Sequence, residues 1–283
     1  MIRSSRLAVV LVLGLSLALP ALAKEDGKVD LNVKSTVDWG TSYAGAVKSA
    51  KADDKPLLFK FYTGWCPHCV RMDNSTWKDV KVGEISKAFT AAKVNADVEK
   101  VPVKRYSLVG YPTTIVAAPG GEEVFRLEGY KDAKTVGLYL KTYLKHADDV
   151  GAAFAKLRDD RNDADAHLAL ARFYRTVGKT KRAIARYEKA MKNATGDAWL
   201  EACVGSGACL AKKKEYKAAS KQLKKALGQA GDSPSAELML AMGQTEQGLG
   251  RNDAARGWYQ KVVSGHAGTE EAKKAEKALG SLG

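Results

Sequence analysis

Apolar positions fall in short solid runs in the first half of the chain and at helical spacing in the second. Residues 56–62, Pro-Leu-Leu-Phe-Lys-Phe-Tyr, read as a buried strand, because so short a bulky apolar run suits a strand covered on both faces. Further strands are expected over 93–97, 113–118 and 122–127, the last two joined by the turn signal Pro119-Gly120-Gly121. Helical signals lie between and after them: 66–74, an amphipathic stretch over 80–89, a turn of helix at 101–106, and 131–144. Asp132 is placed to cap the last of these by accepting early N–H groups. This order predicts an α/β unit over 24–148, a central mixed sheet flanked by helices.

Strand signals stop near residue 150, and the remainder is alanine-rich and helical. Ala183, Ala219 and Ala255 recur every 36 residues, as do Gly178, Lys214 and Gly250, and Tyr187, Leu223 and Tyr259. Small residues are needed where two helices of a hairpin touch, and larger ones fill the space beside them. The period is near the 34 residues of tetratricopeptide repeats, and residues 149–283 resemble a three-repeat array of that kind, all-α, with 270–279 as a capping helix. Ser206-Gly207 and Met242-Gly243 make the units degenerate, and an unrelated helical bundle is the alternative. The resemblance implies a concave groove lined by Leu168, Arg172, Arg175, Val204, Ala208, Lys212, Leu240, Gln244 and Gln247. A groove carrying Arg172, Arg175 and Lys212 is expected to hold an acidic or C-terminal peptide segment. A plain solvated helix face is the other reading.

The chemistry concentrates in Thr63-Gly64-Trp65-Cys66-Pro67-His68-Cys69, directly after the first strand. Two cysteines separated by two residues at a helix start allow one thiol to attack a foreign disulfide and the other to resolve the product. The dipole and free N–H groups of a helix N-terminus favour a thiolate. By spacing alone the pair is also half of a zinc site. Gly110-Tyr111-Pro112-Thr113, about forty residues on, introduces another apolar run.

Together these motifs resemble the thioredoxin superfamily over roughly residues 30–146, with features of the subgroup containing the C-terminal domain of DsbD-type reductases. The resemblance implies that Cys66 is the nucleophile and Cys69 the resolving thiol. It implies that Pro112 is a cis-proline facing them, with Trp65, Tyr111 and Pro112 binding substrate. Pro67 and His68 give the dipeptide of DsbA-type oxidases, and both are expected to tune the Cys66 thiolate, although no long helical insertion accompanies them. Lys60 is the main departure, since relatives carry a buried acid six residues before the first cysteine. Three roles are open to it: a neutral amine base, an electrostatic partner of the Cys69 thiolate, or a side chain that snorkels to solvent.

Arg3 and Arg6, an apolar run over 7–19 and Pro20-Ala21-Leu22-Ala23 follow the pattern of a cleaved secretory signal over 1–23. The run is too short for a comfortable membrane span, which needs about 20 residues. Export to the periplasm is expected, with no stable membrane span. The second cysteine pair, Cys203 and Cys209, would lie about 9 Å apart along one helix, beyond disulfide reach, so buried free thiols are expected.

With 46 lysines and arginines against 32 acids, the formal net charge is +14. No nucleic-acid motif accompanies it, so attraction to acidic partners is the plainer reading. The four histidines are scattered, and no metal site, phosphate loop or cofactor is expected. The sequence therefore points to an exported thiol–disulfide oxidoreductase acting on protein thiols and disulfides with a redox partner, its direction of electron flow undetermined. The alternative is a non-catalytic binding protein whose Cys66–Cys69 pair is a structural bridge.

Overall fold

A computed structural model describes residues 34–282; the signal-like segment lies outside the described residues. A mixed sheet of β1 (Leu57–Tyr62), β2 (Thr90–Asn95), β3 (Thr113–Ala117) and β4 (Glu123–Glu128) has the order β2-β1-β3-β4. β1 runs parallel to β2 and antiparallel to β3, and β3 pairs antiparallel with β4. α1 (Tyr43–Asp53) and α4 (Lys100–Arg105) cover one face; α2 (Pro67–Asp73), α3 (Val80–Ser86) and α5 (Ala133–Leu144) cover the other. The strands expected at 93–97 and 122–127 are shifted, β2 starting three residues earlier.

Central β1 explains why its sequence is nearly continuous in apolar residues. Leu57, Phe59 and Phe61 pack with Tyr43, Ala46 and Tyr106 on the first face, while Leu58 meets Met72, Trp77 and Val82 on the second. Asp132 caps α5 as expected, its Oδ1 accepting the Thr135 N–H at 2.7 Å.

α6 (Ala147–Asp159) follows α5 after a two-residue turn, so the division expected at 148/149 falls inside a helix. Asp148 and Asp149, which read as a polar junction, sit in its first turn, where they complement the helix dipole. Three antiparallel hairpins come next: α7 (Ala164–Thr176) with α8 (Thr180–Asn193), α9 (Gly196–Lys212) with α10 (Tyr216–Ala230), and α11 (Ala236–Gly248) with α12 (Asn252–Gly265). They stack in sequence, α8 on α9 and α10 on α11, and α13 (Glu270–Ser281) closes the stack against α12. The apparent degeneracy at Gly207 and Gly243 has a packing cause. A Cβ at Gly207 would come within 2.5 Å of the Leu223 side chain, and one at Gly243 within 2.5 Å of the Tyr259 ring. Cys203 and Cys209 are buried free thiols on α9.

One apolar cluster runs from the second face of the sheet into the helical half. Phe173 of α7 lies 6.5 Å from Phe125 of β4 and 6.2 Å from Tyr143 of α5, centre to centre. Edge strand β4 is covered by α8 and the turn before it: Arg182 donates to the Val124 carbonyl at 2.7 Å, and Lys179 to the Arg126 carbonyl at 3.1 Å. Arg182 also ion-pairs with Glu123. Exposed edges invite pairing with other chains, and these side chains occupy the carbonyls that would accept it.

Candidate active site

β1 ends at Tyr62 and the chain turns through Thr63-Gly64-Trp65 into α2. Cys66 is the N-cap of that helix, in extended conformation, and Pro67 opens the first turn, where a missing N–H costs nothing. The Cys69 N–H donates to Cys66 Sγ at 3.2 Å. A helix-terminal amide therefore points at the first sulfur, the arrangement that stabilises negative charge there. Cys66 is 4% and Cys69 2% exposed. Pro67 and His68 lie on the surface beside them.

Around this cap the structure gathers the residues expected at the rim. Trp65 is 72% exposed, and its ring meets that of Tyr111 edge-on at 6.4 Å. The Tyr111–Pro112 peptide bond is cis, and Thr113 Oγ1 donates to the Gly110 carbonyl at 2.7 Å, closing the loop. Asp97, which the sequence reading missed, accepts from the Gly64 N–H at 2.9 Å and from the Trp65 indole N–H at 3.2 Å. It follows β2 by two residues. Parallel pairing of β1 and β2 brings both strand ends to one edge, a signal available only once that pairing is known.

Lys60 does not snorkel. Its side chain is fully buried on the α2 side of the sheet and ion-pairs with Asp73, the last residue of α2. Burial pushes the Lys60 ammonium below the ordinary lysine value, and the Asp73 carboxylate opposes that shift. Burial and the hydrogen-bonded Cys66 push the Cys69 thiol up to about 12, while the Thr63 backbone and the Lys60 charge pull the other way. Both sulfurs are buried, but they differ in character: the first accepts a helix-terminal amide, and desolvation disfavours the thiolate of the second.

Arg172, Arg175 and Lys212 lie on α7 and α9, and the contacts they make among the described residues do not involve the cysteine site. The groove is less basic than expected, because Arg172 ion-pairs with Glu201 and Arg175 with Glu237. Arg175 and Lys212 line a cavity of about 360 Å³ with Ala208, Tyr216 and Gln244. Among the described residues no group of three or more metal-ligating side chains converges, and no helix is long and apolar enough to cross a membrane.

Residues 43–144 match the family model for a thioredoxin-like domain. These residues form a thioredoxin-like domain. It is similar to the thiol:disulfide interchange protein DsbD of Ralstonia nicotianae, 34% identical over 95 residues, 32% of this chain and 16% of that protein. Human protein disulfide-isomerase A4 is 36% identical over 87 residues, 30% of this chain and 12% of its own length. The chain thus spans less than a fifth of either relative. A thioredoxin from Thermus thermophilus, solved in solution, covers 44% of this chain and 97% of its own at 24% identity, with a TM-score of 0.37. Both relatives are named for thiol–disulfide exchange or isomerisation. The helices after it are consistent with tetratricopeptide-like repeats.

Proposed function

We propose that this protein is an exported, periplasmic thiol–disulfide oxidoreductase acting on protein substrates through its Cys-Pro-His-Cys centre. The observation that carries the reading is the Cys69 amide directed at Cys66 Sγ from a helix N-terminus. In substrate reduction, the Cys66 thiolate attacks one sulfur of a substrate disulfide, and the other substrate sulfur leaves as a thiolate. Cys69 then attacks Cys66 Sγ, forming the internal disulfide and expelling the second substrate thiolate; run backwards, the same steps oxidise a dithiol. Electrons pass between sulfurs, so no cofactor is required, but a redox partner must restore the starting form.

Trp65, Tyr111 and Pro112 form the rim that receives substrate, the Tyr111 backbone offering an edge for an extended peptide. Pro67 and His68, exposed beside Cys66, and Lys60, buried behind Cys69, tune the sulfurs and with them the poise of the disulfide. Residues from α6 onward dock a partner peptide and raise its local concentration at Cys66.

The test is trapping. Cys69→Ala lacks the resolving thiol and should accumulate mixed disulfides with client proteins, whereas Cys66→Ser should trap none and lose insulin reduction. A reduction potential below about −300 mV, with insulin reduction unchanged in Cys66→Ser, would instead leave the pair as a structural bridge.

A further inference from the structure

Charge is divided between the two layers of the helical half. α9 contacts both α7 and α11, so the first helices of the three hairpins form one layer, and the second helices, α8, α10 and α12, form the other. The first layer carries three lysines and arginines against five acids. The second carries eleven against two. Each outer helix spends its apolar side on the stack, burying Ala183 and Tyr187, Ala219 and Leu223, and Ala255 and Tyr259. Its far side is left to water and, for the most part, to lysine.

α10 is the extreme case, with four lysines and no acid. Lys217, Lys221 and Lys224 follow the spacing that puts side chains on one helix face, opposite the buried Leu223 and Ala226. The repeat extends this ridge sideways, because Lys189, Lys225 and Lys261 recur every 36 residues, one on each outer helix. All six are exposed, and none ion-pairs with an acid among the described residues. On the inner layer, by contrast, Arg172 and Arg175 are each neutralised by a carboxylate. The ridge also lacks apolar anchors: among the described residues, every large hydrophobic side chain that is exposed lies before α6.

We propose that this lysine face adsorbs the protein to an anionic lipid surface, such as a bilayer rich in phosphatidylglycerol. Charge complementarity carries the assignment. Lysines are compact, strongly hydrated charges that meet a diffuse layer of headgroups without needing one fixed geometry. A nucleic acid calls for arginine forks or exposed aromatic rings. Here the outer-helix arginines are engaged elsewhere, Arg182 by Glu123, Arg186 by His167 and Arg256 by the Leu282 carbonyl. With no apolar anchor the contact is electrostatic, lies at headgroup level and is reversed by salt. The inner layer faces away and stays free, so an adsorbed molecule keeps its groove open. That such a bilayer is within reach rests on the export reading above; the adsorption does not depend on the cysteine chemistry.

Co-sedimentation of the purified chain from Lys24 onward with lipid vesicles tests this. The protein should pellet with vesicles of equal parts phosphatidylglycerol and phosphatidylcholine at about 20 mM salt, stay in solution with phosphatidylcholine alone, and be released at about 0.5 M salt. Combining Lys217→Gln, Lys221→Gln, Lys224→Gln and Lys225→Gln should weaken partitioning at least tenfold, one lysine at such a surface being worth about fivefold. The control removes the same charge from exposed positions of the first half, Lys48→Gln, Lys51→Gln, Lys81→Gln and Lys104→Gln, and should stay within about twofold of wild type. Unchanged urea midpoints show that both variants are folded. Equal losses in the two variants would assign binding to net charge and overturn the proposal, as would binding that survives high salt. Retention of duplex DNA without retention of the vesicles would overturn it in favour of a nucleic-acid partner. Because vesicles are added to purified protein, the result stands apart from the export reading, which cell fractionation decides.

Discussion

Arg175, one residue before the end of α7, ion-pairs with Glu237 in the first turn of α11, a contact that passes over the intervening helix α9. It ties the first hairpin to the third across the inner face. Arg172 is engaged in the same way by Glu201 of α9. The array therefore neutralises two of the three cations expected to receive an acidic segment, and leaves Lys212 without an ion-pair partner among those described.

Removing the two acids should unmask the groove. Glu201→Gln with Glu237→Gln is expected to bind an acidic peptide such as hexaglutamate several-fold more tightly than wild type, and more so at low salt. All four side chains are at least 40% exposed, so each pair should contribute no more than about 1 kcal/mol to stability. Fluorescence-anisotropy titrations and urea denaturation read the two quantities. Unchanged, salt-insensitive binding would mean that this face does not take acidic segments.

Phe173 should couple the halves. It is 3% exposed and packs on Phe125, Tyr143 and His146, so Phe173→Ala is expected to cost about 3–5 kcal/mol. Hydrogen exchange should show β3, β4 and α5 losing protection together with α7 and α8. Loss confined to the helical half would show that the shared apolar cluster does not bind the two parts into one unit. Cutting the chain after residue 148 should likewise destabilise the first part, since it uncovers Phe125 and frees the β4 carbonyls of Val124 and Arg126.

The elements that carry the chemistry were readable because local signals and packing agree there. Solid apolar runs marked β1 and β3, and the 36-residue recurrence marked the hairpins. What escaped depends on contacts between segments distant in sequence. Nothing around Asp97 announces that it holds the Trp65 indole, and nothing around Arg182 that it caps a strand nearly sixty residues earlier. Lys60 was noticed as an exception, but its burial and its partner Asp73 required the strand parity and the helix end to be known together. Gly207 and Gly243 were misread for the same reason: each looks like a lapse in a repeat until the ring or leucine seated on it is seen.

His167 should make stability fall in mild acid. It is buried on α7, with Nε2 bonded to the Arg161 carbonyl at 3.1 Å and Nδ1 facing the Arg186 guanidinium at 3.1 Å. These partners assign the neutral tautomer with the proton on Nε2. Burial, then the Arg186 charge, holds the imidazole below its ordinary value. The unfolded chain takes up a proton below about pH 6.5, and the folded chain does so only at lower pH. The stabilisation is thus fully present above that value and is lost as pH falls through the folded one. Denaturation from pH 7.5 to 5 should show this decline, and His167→Gln should flatten it. An unaltered slope in the variant would assign the decline to other groups.

Lys214 offers a gain in stability. It occupies the left-handed region at φ 64°, at the repeat position where Gly178 has φ 70° and Gly250 has φ 77°. All three make the same helix-ending pattern. Their N–H groups donate to the carbonyls of Ala211, Arg175 and Gln247, and the next N–H of each turn reaches back five residues, to Leu210, Tyr174 and Glu246. That is a Schellman motif, which glycine closes without steric cost. A Cβ in this conformation costs about 1–2 kcal/mol. Glycine gives back about 0.5–1 kcal/mol through the greater freedom of the unfolded chain. Lys214→Gly should therefore stabilise the protein by roughly 0.5–1 kcal/mol. The lysine side chain is exposed and makes no ion pair among those described, so little is lost with it. Lys214→Ala keeps the Cβ and serves as the control, with a change near zero. The midpoint of urea denaturation should rise for glycine alone. An equal rise for alanine would trace the effect to the lost charge in a lysine-rich turn.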